Sequence, residues 1–170
     1  MRGKKGRPPR DPTDPPRRRA NKRRGRGSDA NDRPPIVGVV GRTTGQVRVR
    51  VKPDTKAKTL CGHVHSCTRP GAVLYIDESD SYAPVLRPQA AVCHSRNEWA
   101  RDDDGHGIRE VHTNTLEGLW SGLRTFLRSF RGLNKHYLGG YGAVYEFGVN
   151  LKRSSTSFIA ALLALHTVTR

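Results

Sequence analysis

The stretch IVGVVGRTTGQVRVRV, residues 36–51, decides the architecture. Its second half alternates apolar Val47, Val49 and Val51 with basic Arg48 and Arg50, the two-residue period of a strand with one buried face. The first half is a β-branched run, and Thr43, Thr44 and Gly45 between the halves supply turn residues. A β-hairpin over 36–51 is the predicted result.

Downstream, TKAKTLCGHVHSC (55–67) reads as a short helix ending near Arg69, Pro70 and Gly71. AVLYID (72–77) follows, a continuous apolar strand of the kind a doubly covered sheet demands. A weaker strand is expected near AAVCH (90–94), and SRNEWARDDDGHGIREV (95–111), with no sustained period, as a long exposed loop. Three helical stretches close the chain, about 113–130, 134–152 and 155–166. Hairpin, helix, strand, short strand and helices in that order predict an α/β layer rather than a bundle.

Upstream the composition changes. Residues 1–35 hold thirteen Lys or Arg against four Asp, seven of the eleven prolines and no aromatic residue. With so little apolar surface to offset ordering entropy, this segment is predicted to be a disordered basic arm, and 36–170 the folded domain. The whole chain carries +16 in 170 residues, which points to a polyanion, nucleic acid first, because clustered cations displace counterions from phosphates. Arg17, Arg18, Arg19, Lys22, Arg23, Arg24 and Arg26 are the candidate DNA-binding residues. Three cysteines form no disulfide framework, and no apolar run approaches the roughly 20 residues of a membrane span, so a cytoplasmic, nucleoid-associated protein is expected.

Two places carry chemistry. Asp77 ends the apolar strand, where a carboxylate is placed to hold a divalent cation or to cap a helix over SDSYAPVL. In HTNTLEGLW (112–120), Leu116, Leu119, Leu123, Phe126, Leu127 and Phe130 gather on one helical stripe, with Asn114, Glu117, Ser121, Arg124 and Arg128 opposite. Glu117 and Arg124 lie two turns apart on that polar face, an arrangement that suits a metal ion and a phosphate, or equally a solvated stripe. Thr113, Thr115 or Asn114 is the expected cap. DDDGHG (102–107) departs from a calcium loop at its later positions, and CGHVHSC (61–67) has no zinc spacing.

The segments AVLYIDESDSY, VCHSRNEWARDDDGHGIREVHTNTLEGLWSGLRTFLRSFRGLNKHYL and YEFGVNLKR resemble the ISXO-like transposase domain, an insertion-sequence family of the DDE superfamily. The resemblance runs from about Arg17 to the C-terminus. It implies a ribonuclease H-like mixed sheet with flanking helices, and metal-dependent cleavage and strand transfer of DNA. It further implies two Mg²⁺ or Mn²⁺ ions, transposon ends and target DNA as partners, and a homo-oligomer in the synaptic complex. Asp77 matches the second catalytic acid, Asn114 or Glu117 the third, with Asp77 and Glu117 as metal ligands and Arg124 as the basic residue that follows. The family's first catalytic Asp precedes a Gly- and Lys-rich stretch that MRGKKGR resembles, and the chain starts after it. An N-terminally truncated form lacking the first strand, impaired in catalysis but retaining DNA binding, is therefore expected. A non-catalytic basic nucleic-acid-binding protein is the alternative.

Overall fold

The computed structural model describes Thr13, Asp14, residues 27–152 and Thr156. The hairpin forms as expected: β1 (Ile36–Val40) and β2 (Val47–Val51) pair antiparallel, Gly38 opposite Val49. Gly45 takes a positive φ of 64°, and its N–H donates to the Gly41 carbonyl, closing the turn. Val47 and Val49 are each 2% exposed while Arg48 and Arg50 face outward, so the alternation in the sequence maps directly onto burial.

After α1 (Ala57–Cys67) comes β3 (Leu74–Asp77), which runs parallel to β4 (Gln89–Val92) with Asp77 opposite Val92. The strand is covered less than its composition led one to expect. Only Leu74 is buried, Tyr75 and Ile76 are half-buried, and the neighbouring Val73 is exposed. In place of a helix over 79–86, Asp80–Tyr82 make a single 3-10 turn whose chain then seats Val85 against Val64 and Leu74.

The stretch 95–111 is not one continuous loop. β5 (Ala100–Arg101) and β6 (Val111–His112) form a two-residue antiparallel ladder, Ala100 opposite His112, that clips the acidic tip to the body. A ladder this short has no periodicity to read; its partner, not its composition, makes it a strand. The strands thus assemble as three two-stranded sheets, β1-β2, β3-β4 and β5-β6. Arg42, just past β1, links them: its guanidinium lies 3.5 Å from the centroid of the Tyr75 ring and donates to the carbonyls of Glu110 and His112.

Helices α2 (Asn114–Arg128) and α3 (Lys135–Leu151) fall within two residues of their predicted bounds, and the third predicted helix, 155–166, lies outside the described residues apart from Thr156. Leu119 and Leu123 of α2 complete the main core with Val47 and Val49, flanked by Leu116, Phe126 and Leu127 as the apolar stripe requires. Phe130 stays 40% exposed but packs edge-on against Phe126 and tilted against Tyr141. From α3, Asn150 accepts from the Val47 N–H at 2.8 Å and donates to its carbonyl at 3.0 Å, and Glu146 accepts from the Val49 N–H at 2.7 Å. Two side chains thereby occupy the outer edge of β2 that a third strand would otherwise use.

Of the basic arm, Thr13, Asp14 and residues 27–35 are described. Asp29–Asn31 form a 3-10 turn, and Lys135 at the start of α3 pairs with both Asp29 and Asp32. The arginine-rich run holding Arg17, Arg18, Arg19, Lys22, Arg23, Arg24 and Arg26 lies outside the described residues.

Candidate active site

The carboxyl ends of β3 and β4 and the start of α2 meet at one end of the molecule, joined through β6. Asp77, the last residue of β3, is exposed, and among the described residues its carboxylate takes a long 3.4 Å contact from the Ser79 N–H. Across the ladder, Val92 leads in two residues to His94. The His94 Nε2 lies 3.6 Å from a Glu117 carboxylate oxygen and 3.3 Å from the Thr113 hydroxyl, which itself donates to Glu117 at 3.2 Å.

Thr113 stands at the N-cap position of α2, but its hydroxyl caps no backbone N–H. The expected capping role is replaced by a bridge between His94 and Glu117. Asn114 opens α2 and is exposed. Glu117 lies in the first turn of this 15-residue helix, whose start carries a partial positive charge. The indole of Trp99, 56% exposed, rests on the His94 ring at 4.8 Å between centroids.

A neighbouring triad tightens the same strand ends. The Glu78 carboxylate accepts from the Cys93 thiol and from the Ser95 hydroxyl and N–H. The Cys93 thiol first, and then Ser95, hold the Glu78 carboxyl below its ordinary range. Glu78 is therefore committed to fixing the β4 turn, and this leaves Asp77 as the outward-facing acid. Arg124 sits two turns beyond Glu117, about 10 Å along the axis. It lines a shallow groove with Ile36, Trp120, Leu123 and Leu127. The structure therefore draws His94, Thr113 and Glu117 into contact, sets Asp77 across the strand pair from them, and keeps Arg124 at a distance.

A second acidic group lies apart. Carboxylate oxygens of Asp102, Asp104 and Glu110 fall within 4.8 Å of one another. Much of their capacity is used within the loop. Asp102 accepts from the N–H groups of Asp104, Gly105 and Gly107, and Asp104 pairs with His106 at 2.7 Å. Arg101 is clamped between Asp103 and Glu98, and its pKa is raised by them in that order. Sequence reasoning did not place His94 at this site and missed Arg42 altogether. His94 had a readable signal, a histidine two residues past a strand end; Arg42 had none, since its partners are backbone atoms 68 and 70 residues away.

The family model described as the ISXO2-like transposase domain matches residues 7–150 of the chain. No curated protein and no solved structure matches it.

Proposed function

The chain belongs to the ISXO2-like transposase domain family of insertion sequences, and from that premise we propose that Asp77 and Glu117 are its metal-binding carboxylates for cleavage and transfer of DNA strands. DNA is the partner the family implies. The observation that supports the reading is a helix-start Glu117 in contact with an imidazole and a hydroxyl, with Asp77 at the end of β3 opposite Val92, two residues before that imidazole, and both acids exposed. Such a set of hard oxygen donors suits Mg²⁺ or Mn²⁺. When bound, two such ions activate an attacking oxygen and stabilise the leaving one.

The chain's own residues set the site around that chemistry. Thr113 and His94 hold the Glu117 carboxylate toward the strand ends, while Glu78 braces the turn after β4 that carries His94. Arg124, on the same helix face, receives the DNA backbone beyond the reacting phosphate. We read the β1-β2 hairpin and the parallel β3-β4 pair as parts of a ribonuclease H-like sheet, and residues 1–35 as the DNA-tracking arm of the domain at 36–170. His94 and Thr113 share the Glu117 Oε1, so a metal ion that takes this oxygen displaces existing contacts. The isolated chain is therefore read as a slow nuclease that binds DNA well.

Nicking of supercoiled plasmid with Mg²⁺ or Mn²⁺ tests this. Slow, metal-dependent nicking should fall by on the order of 100-fold or more in Asp77→Ala and Glu117→Gln, with duplex binding unchanged. Asn114→Ala should retain most of the activity. Duplex binding with no nicking under either ion would overturn the catalytic assignment and leave a basic nucleic-acid-binding protein.

A further inference from the structure

The turn over residues 93–101, between β4 and β5, is tied down from several sides. The N–H groups of Arg96 and Glu98 donate to the Cys93 carbonyl and that of Asn97 to the His94 carbonyl, with Asn97 in the left-handed region at φ 59°. Glu78 holds Cys93 and Ser95, while Glu98 accepts from the Cys93 N–H at 3.2 Å. Arg101 reaches back to Glu98 at 2.6 Å and to the Ala91 carbonyl at 3.1 Å. The two largest side chains of the turn without such ties are Trp99 and Arg96. Trp99 is 56% exposed with its indole N–H unpartnered among the described residues, and Arg96 is exposed and makes no ion pair among them.

An exposed tryptophan by itself calls for no partner. This one is held in place beside the acids. Its ring rests on His94, and the His94 Nε2 lies 3.6 Å from the Glu117 carboxylate, so one side chain separates the indole from the candidate metal-binding acid. The turn beneath is fixed by hydrogen bonds at both ends, and an indole has only two torsions to freeze, so little ordering entropy opposes a partner. A flat π-face with a cation three residues away fits a nucleobase and its phosphate. In a paired duplex both faces of each base are covered by its neighbours. Only an unpaired or extruded base can offer a face to the ring.

We propose, on the reading of these strand ends as the cleavage site, that Trp99 stacks on one unpaired base of the DNA strand, next to the phosphate that Asp77 and Glu117 hold. Arg96 takes the adjoining phosphate. The contact keeps the strand open beside the acids and selects DNA already unpaired there, because extruding a base from an intact duplex costs pairing and stacking energy that a single strand has already lost.

Binding of the full chain without divalent metal tests the stacking site, with a blunt duplex and the same duplex carrying a short 3′ single-stranded tail that contains 2-aminopurine. Wild type should favour the tailed DNA by about tenfold at equal salt and quench the 2-aminopurine fluorescence. The ratio of the two affinities cancels the charge contribution common to both DNAs. Trp99→Ala should bind both alike, Trp99→Phe should keep most of the preference, and Arg96→Ala should weaken the tailed complex more than the blunt one. Asp77→Ala should keep the preference, since stacking does not use the carboxylate. Equal wild-type affinity for the two DNAs, or a Trp99→Ala loss that is the same on both, would overturn the proposal even where nicking depends on Asp77. A preference that vanishes in Trp99→Ala while wild type nicks nothing would sustain the stacking site and sink the cleavage reading instead.

Discussion

Glu146 shows how much one side chain carries. It is 9% exposed and satisfies the Val49 N–H and the Arg50 guanidinium, each at 2.7 Å, with Arg48 at 3.4 Å. Removing it leaves the buried Val49 N–H unsatisfied, while the half-exposed arginines turn to water, so Glu146→Ala should cost about 1–3 kcal/mol, and Glu146→Gln less, read by denaturant midpoint at constant m. His63 carries a different liability. It is 1% exposed, its Nε2 has no hydrogen-bond partner among the described residues, and its Nδ1 lies 3.6 Å from the Cys67 sulfur. Burial first, then the charges of Lys52 and Arg50, push its pKa below the ordinary value of 6.5. The folded state therefore prefers neutral imidazole, and the unfolded chain binds the extra proton. Stability from this residue is complete above about pH 6.5 and is lost as pH falls below it toward the lower folded value. His112, also lowered by burial and then by Arg42, acts in the same direction. Melting temperature measured from pH 8 to 5 should drop in the lower half of that range, and His63→Phe should flatten the drop.

At the scale of elements, the close approach of hairpin to helix sets the tolerance. A Cβ on Gly38 would lie 2.8 Å from the Trp120 ring, so β1 and α2 pack at a distance only glycine permits. Gly38→Ala should destabilise by about 1–3 kcal/mol, seen as a melting point lower by several degrees. Much of this level was legible beforehand. The valine alternation marked β2, and the leucine stripe of α2 marked its buried face, because each pattern records one local period. The β5-β6 ladder and the weak cover on β3 were not legible. Both depend on which segment arrives opposite, information that no window of ten residues contains. Thr113 illustrates the point within one position, since a Thr at a helix start reads as a cap until a histidine from the turn after β4 is placed beside it.

For the molecule as a whole, charge dominates the expected behaviour. With +16 in total and thirteen of the cationic residues in the first 35, duplex affinity should fall steeply with salt, on a log–log slope of about −0.9 per phosphate neutralised. Deleting residues 1–26 should make that slope shallower while leaving nicking sensitive to Asp77; an unchanged slope would remove the arm from the interface. The sequence by itself determined the α/β order, the helix bounds, the basic character and, through its resemblance, the transposase family, because local periods, net charge and motif blocks are properties of the string. Only the tertiary structure decided that His94 meets Thr113 and Glu117, that Arg42 joins three strand pairs, and that α3 blocks the β2 edge while turning an apolar face outward. Those are contacts between residues from 19 to more than 100 positions apart, selected by the packing of whole elements rather than by any local preference.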